Sequence, residues 1–270
     1  MNNWKKVIMN KKISIVIRNK NQGESLDFLL ENLKKRYLDD INEIIVLDNL
    51  STDSSSEVIQ KHGVKKVTID TFSYGGSANV AAESATNDIV VIFSAHAFPV
   101  SHDFFKLIQL KFQQNNNLAG LRCLHNHNDY VHYINGVTAT ENPNGAGVIF
   151  CGSAFNKKVW RLLRFKEDIQ TMEDKEWTKR VLDKGYDIEF VPSIFCYAIK
   201  RNEEQLFFRY KNEVIGSYQL WHTEYKTITA FKMVAGSTIN AFRVFIISVY
   251  YAFRRFFFLL KFVNNKPEKF

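Results

Sequence analysis

The chain has 270 residues, 46% of them apolar, enough to bury a substantial core and to exclude wholesale disorder. Its three cysteines, Cys123, Cys151 and Cys196, are too far apart for a disulfide framework or a zinc site, and they suit a reducing compartment. Of the formal charge of +8, a net +7 (twelve Lys/Arg against five Asp/Glu) falls from Lys200 onward, so the basic end points to a polyanionic surface while the rest is nearly balanced.

The start, "MNNWKKVIMNKKIS", is charged and lacks the apolar run of a secretory signal. "KISIVI" then reads as a strand and "ESLDFLLENLKKR" as an amphipathic helix. "EIIVLD" is a second strand. The helix "STDSSSEVIQKHG" follows, with a capping-box pattern from Ser54 to Glu57 and Gly63 as its stop. "KKVTI", the helix "GSANVAAESAT" and the strand "DIVVIF" continue the alternation. Strands and helices alternating at this spacing imply an α/β fold with a Rossmann-like, mostly parallel sheet covered by helices on both faces. Ligands of such sheets bind outside the carboxyl ends of the strands, where Asp48, Ser94 and His96 lie.

Further on, "GVIFCGSAF" reads as a buried strand leading into the helix "NKKVWRLL". "EDKEWTKRVLDKG" is a helix that opens on acids and closes at Gly185, and "YDIEFVP" is a strand. The polar stretch "CLHNHNDYVHY" holds His125, His127 and His132. Its His-any-His lacks a third ligand, and the stretch reads as a solvated loop. After Lys200 only helices are expected, over "EEQLFFRYKNEVIGSYQLW" and residues 229–262.

Four segments together, "ISIVIRNKNQGESLDFLLENL", "EIIVLDNLSTDSSSEVIQKHGV", "FSYGGSANVAAESATNDIVVIFSAHAFP" and "MEDKEWTKRVLDKGYDIEFVP", resemble in order and spacing the family 2 glycosyltransferases. These are inverting, nucleotide-sugar-dependent enzymes of GT-A fold, and the resemblance covers roughly residues 12–200. It implies a GT-A domain over residues 1–200 and a helical, basic-apolar segment over 201–270. It implies Asp174 as the base that takes the acceptor's proton, with Glu173 and Trp177 shaping the acceptor side. On the donor side it implies Arg18, Asn19, Asp48, Gly75, Asn79, Ser94 and His96. Read from the residues alone, Asp48 could simply cap the next helix, Asn79 could tie one loop to another, and the acids of "MEDKEW" could be an ordinary helix start.

The sequence departs from the family at three points. The usual Asp-any-Asp, which binds ribose and a divalent ion, is here Ser94-Ala95-His96. His96 could ligate a metal, with manganese suiting imidazole better than magnesium, could hydrogen-bond without one, or could simply be packed. The histidine expected after the last strand is replaced by Lys200 and Arg201, which could carry the diphosphate charge directly. An arginine often present near Gly76 is missing.

In residues 229–262 the longest uncharged run, Val244 to Phe253, has ten residues, which reads as too short to span a bilayer. Lys232, Arg243, Arg254 and Lys261 fall within roughly 20° of one line at 100° per residue. That is the pattern of a helix lying in a membrane interface, and aromatics grouped with aliphatics argue against nucleic acid. The expectation is a cytoplasmic, peripheral enzyme on the inner face of the cell membrane, acting on a glycan or lipid-linked glycan of a bacterial surface polysaccharide. The rivals are a catalytically inactive sugar- or partner-binding module and a nucleotidyltransferase, for which "RNKNQGES" is a poor match.

Overall fold

The structure, a computed structural model, describes residues 13–198 and 201–270. The chain divides into two units, one ending at Leu220 and one covering Trp221–Phe270.

The first unit is built on β1 (Ile13–Asn19), β2 (Glu43–Asp48), β3 (Lys65–Thr68), β4 (Ile89–Ser94), β5 (Ala97–Pro99), β6 (Leu118–Leu124), β7 (Gly152–Asn156) and β8 (Asp187–Tyr197). Among the described residues these form one eight-stranded sheet in the order β3-β2-β1-β4-β7-β6-β8-β5. β1, β2, β3 and β4 are mutually parallel, as are β6 and β8, while β7 and β5 run against their neighbours. The first four strands are read correctly from sequence, and the sheet is mostly parallel and covered on both faces as expected.

Period-two alternation explains the two covers. Along β1, Ile13, Ile15 and Ile17 enter one core with Leu26, Leu29, Leu30 and Leu33 of α1 (Gly23–Arg36), Val58 and Ile59 of α2 (Ser55–His62), and Phe104, Phe105 and Ile108 of α4 (Phe104–Gln114). Val16 enters the other, with Ala78, Ala81 and Ala82 of α3 (Tyr74–Ser84) and Trp177 and Val181 of α8 (Glu173–Asp183). Each fully buried Leu or Ile of these cores contributes about 1.5–3 kcal/mol. Gly63 stops α2 in the left-handed conformation, φ 57°. Ser54 is its N-cap but makes no side-chain capping bond, so the capping box is not formed.

The expected solvated loop is corrected. α5 (His127–Ile134) occupies it, opened by Asn126, whose side chain accepts from the Asp129 N–H. Asp129 is buried, with its carboxylate held by two nitrogens of Arg122 and by His125 Nδ1, and the His125 ring stacks on Phe195 at 5.1 Å.

The remaining helices of this unit are α6 (Pro143–Ala146), α7 (Lys157–Leu162) and α9 (Glu203–Trp221). α9 rests on the loop before α8. A Cβ at Gly216 would lie 2.8 Å from Met172 Sδ, so a larger residue there would have to displace the methionine side chain.

The second unit is dominated by α10 (Thr227–Asn264), 38 residues without one buried side chain. Its mean hydropathy reaches 1.4 over an eighteen-residue window, so by length and composition it is able to cross a membrane. The ten-residue uncharged run was therefore the wrong measure, because single charges inside a long helix do not end its apolar stretch.

Candidate active site

The chain leaves β1 for β2 on one side and later returns as β4 on the other, so the carboxyl ends of β1 and β4 flank the topological switch point. Arg18 stands in register with Ser94 there, and Asn19 with Asp48. Because β7 is antiparallel, its entry, Phe150–Cys151, reaches the same edge.

Asp48 ends β2 almost wholly buried. Burial works against its charge, but hydrogen bonds from Ser51 and Asn19 and the Lys66 ammonium at 3.2 Å hold its carboxyl below the ordinary value. The amide nitrogen of Asn19 serves Asp48, Ser51 and Ser55, while its Oδ1 is buried and unpartnered. That oxygen and the half-buried Ser94 are what this end of the cleft offers to a donor-substituted ligand.

His96 Nδ1 faces Gln22 Oε1 at 2.6 Å, so Nδ1 carries the proton and Nε2 is the acceptor. Nε2 is buried without a partner. The ring meets Tyr197 edge-on at 4.6 Å, and the Arg201 guanidinium bonds the Tyr197 hydroxyl at 2.8 Å. Burial, and then the charges of Arg201 and Arg18, push the imidazole down to about 4, so it is neutral near pH 7. These residues do not fit a protein-built metal centre. The charges of Arg201 and Arg18 act on its ring, and among the described residues no three His, Cys, Asp or Glu side chains gather. His96 offers one neutral nitrogen, Nε2, and as a lone protein ligand would leave most of an ion's coordination to other groups. Lys200 lies outside the described residues.

Arg18 is the hub. Its Nη1 donates to Ser77 Oγ at 3.4 Å and lies 3.6 Å from Glu173 Oε1; its Nη2 donates to Phe150 O; its charge sits 5.8 Å from the Tyr74 ring centroid. Asp174 is half-buried, accepting from the Phe150 N–H at 3.3 Å and the Lys175 N–H at 2.8 Å. Phe150 therefore bridges the two, carbonyl to Arg18 and amide to Asp174. Behind it the buried Lys175 ammonium donates to Gly147 O and Val148 O, and Arg122 also donates to Gly147 O. Burial lowers Lys175 to about 8. Sequence alone missed this brace of Arg122 and Lys175. Its one visible signal was a charged residue inside each of two otherwise buried stretches.

Four expected site residues are corrected. Trp177 is 0% exposed, packed on Phe155 and Phe165 with its Nε1 bonded to Leu163 O, so it offers no face to a sugar. Glu173 is 4% exposed and turned to Arg18, away from an acceptor. Asn79 spends all its capacity inside the protein, accepting from Trp160 Nε1 and Phe165 N and donating to Phe165 O and Glu167 Oε1. Gly75 lies beneath the same segment; a Cβ there would be 1.8 Å from Lys166 O. Asn79 fastens the 165–167 segment onto α3, and the side-chain direction of Gly75 is closed by the same segment.

Met172, immediately before Glu173, adopts φ 66°, a left-handed conformation that costs a non-glycine residue about 1–3 kcal/mol. It turns the chain so that α8 starts with Asp174 at the cleft, and α9 covers the turn through Gly216.

A family model described as glycosyl transferase family 2 matches residues 14–171. Among solved structures, a mannosyltransferase of Pyrobaculum calidifontis in complex with GDP-Man and Mn2+ aligns with TM-score 0.63 and 17% identity, over 80% of this chain and 65% of its own. A glucosyl-3-phosphoglycerate synthase of Mycobacterium tuberculosis, in complex with Mn2+, uridine-diphosphate and glucosyl-3-phosphoglycerate, aligns with TM-score 0.55 and 13% identity over 73% of this chain and 75% of that one. TarS of S. aureus aligns with TM-score 0.55 and 16% identity over 70% of this chain and 37% of its own. At such identities the likeness is one of fold. The comparison with curated proteins finds no match.

Proposed function

The chain belongs to glycosyl transferase family 2, and we propose that it is an inverting enzyme moving a sugar from a nucleotide-sugar donor to an acceptor hydroxyl. The observation that carries this is Asp174, a half-buried carboxylate held by two backbone N–H groups at the sheet edge where Arg18 and His96 converge. Asp174 takes the proton of the acceptor hydroxyl as that oxygen attacks the anomeric carbon. The bond from that carbon to the diphosphate breaks on the opposite face, so configuration inverts. Asp48, Asn19 and Ser94 hold the nucleoside. Arg18 and Arg201 take up the charge of the leaving diphosphate, and neutral His96 bonds it through water or a donor hydroxyl. Chromatography or NMR of the product from a panel of nucleotide sugars tests the reading: transfer with inverted anomeric configuration supports it, and retention overturns it.

The solved relatives with Mn2+ raise the alternative that a divalent ion neutralises the diphosphate. If the guanidinium groups do so, transfer persists in EDTA, and Arg201→Ala lowers the rate at least tenfold. Complete loss in EDTA, rescued by manganese, shows that they do not suffice.

The acceptor we propose is a lipid-linked glycan, of the kind assembled into bacterial surface polysaccharide at the inner face of the cell membrane. Support comes from α10, a largely apolar helix on which Lys232, Arg243, Arg254 and Lys261 fall near one line, with Arg255 about 100° away from it. The catalytic domain, expected over residues 1–200, then extends to the end of the first unit at Leu220, with Arg201 and α9, and the membrane-associating segment lies in Trp221–Phe270. The full chain is expected to sediment with vesicles containing phosphatidylglycerol, and more weakly in high salt, because part of the attraction is screened charge. A chain ending at residue 226 is expected to remain in the supernatant. Sedimentation independent of α10 would remove it from that role.

A further inference from the structure

The two neighbouring carboxylates at the start of α8 face different partners. Asp174 is bonded to the strap at Phe150, whereas Glu173 points to Arg18. Successive residues on a helix diverge by about 100°, so the pair cannot share one direction.

Glu173 is poorly provided for as a buried charge. Arg18 at 3.6 Å is the cation it faces, and that distance is longer than a well-formed charge-assisted hydrogen bond. Arg18 is meanwhile bound by Ser77, by Phe150 O and by the Tyr74 face, and stands at the switch point where an anionic ligand of this sheet would sit. Burial, and then the charge of Asp174, raise the Glu173 carboxyl to about 7 even with Arg18 beside it. The other charged or titratable groups around the pair are Asp174 and Lys175 on α8, His96 after β4, Cys151 ahead of β7, Tyr74 on α3 and Arg122 behind the 147–151 segment. Cys151 is pushed up to about 12 and does not titrate near neutrality; Lys175, at about 8, does.

We infer that Glu173 is the resident counter-ion of Arg18, and that the donor's diphosphate takes Arg18 from it, so that nucleotide-sugar binding brings one proton from solvent onto Glu173. This rests on the proposed function and assigns Glu173 a donor-side role. The balance is simple. Before binding, Arg18 neutralises the Glu173 carboxylate. After binding, Arg18 neutralises diphosphate, and the stranded carboxylate becomes a neutral acid by taking a proton. Asp174 then loses the adjacent carboxylate charge of Glu173 and is left to accept the acceptor's proton. When the nucleoside diphosphate leaves, Arg18 returns to Glu173 and the borrowed proton departs. Glu173 is thus a positioning residue acting through Arg18.

The linkage has a definite sign. A group whose affinity for protons rises on ligand binding makes binding weaken as pH rises, by up to tenfold per unit. Binding of UDP-glucose and GDP-mannose to the full chain is measured by calorimetry between pH 6 and 8.5, in two buffers of different ionisation enthalpy. Neither ligand titrates in that range, so uptake reports the protein. For whichever donor binds, the apparent enthalpy should differ between buffers at pH 8 by a substantial fraction of one proton taken up. Little difference is expected at pH 6, where Glu173 already carries its proton. Glu173→Gln should bind with an affinity nearly flat in pH and with the buffer difference abolished. Uptake that persists in Glu173→Gln assigns the proton to another group, Lys175 or His96, and overturns the inference. Binding without uptake also overturns it, while leaving the transferase reading intact. Failure of both donors to bind counts against that reading as well.

Discussion

Replacing Asp174 by Asn is expected to slow sugar transfer by about 100-fold or more, the scale on which loss of a general base is felt. Nucleotide-sugar affinity should stay within about twofold. The substitution is nearly isosteric, and the amide oxygen can still accept from the Phe150 N–H, so the strap and Arg18 stay in place. What is lost is the ability to take a proton. The discriminating measurement is single-turnover transfer beside donor calorimetry on the same protein. Unchanged turnover would remove Asp174 from catalysis. A parallel collapse of donor binding would show that its role is to hold the strap.

The largest stability effect is expected at Trp177. It is fully buried, its ring 5.1 Å from Phe165 and 6.2 Å from Phe155 between centroids, and a Cβ on Gly120 would lie 3.5 Å from it. Trp177→Ala should cost about 3–5 kcal/mol through lost burial and a residual cavity. It would also leave Leu163 O without its bond from the indole. For a unit of this size the melting temperature should fall by roughly 10 °C. Were Trp177 a sugar-stacking residue, the same change would raise KM and leave melting untouched, so a melting curve decides.

The Trp177 error was avoidable. Glu173, Trp177 and Val181 are spaced by four, which places them on one helix face, and Val181 belongs in a core. The tryptophan follows the valine inward, and the glutamate follows both. The first four strands were legible because their apolar runs are unbroken and alternate with helices of clear period. The stretch from Ala97 to Cys151 was not. β5 is three residues long, and β6, "LAGLRCL", carries Gly120 and Arg122 inside a wholly buried strand. That arginine is tolerated because Asp129 meets it from seven residues away and Gly147 O from twenty-five, pairings that no local pattern displays. Asp174 and Arg18, both singled out in the sequence, meet at the two ends of the Phe150 peptide. The opposed directions of Glu173 and Asp174, and the loss of Asn79 to an internal knot, depend on what packs against each face.

The pairing of β5 with β8 also sets an order of events during folding. Arg18 and Asp48 lie on strands whose mates are all supplied by the first hundred residues, and Ser94 on β4, which waits for β7 on one side only, so that half of the cleft can begin to form early in synthesis. Ala97 pairs with Tyr197, and the His96 carbonyl receives the Ala198 N–H, contacts that close a loop of about a hundred residues. Such long-range closures are slow to form. On the proposed function, a nascent chain would hold the nucleoside-binding half before the wall of Tyr197 and Arg201 arrives beside His96, and competence to handle a leaving diphosphate would be among the last properties the chain acquires.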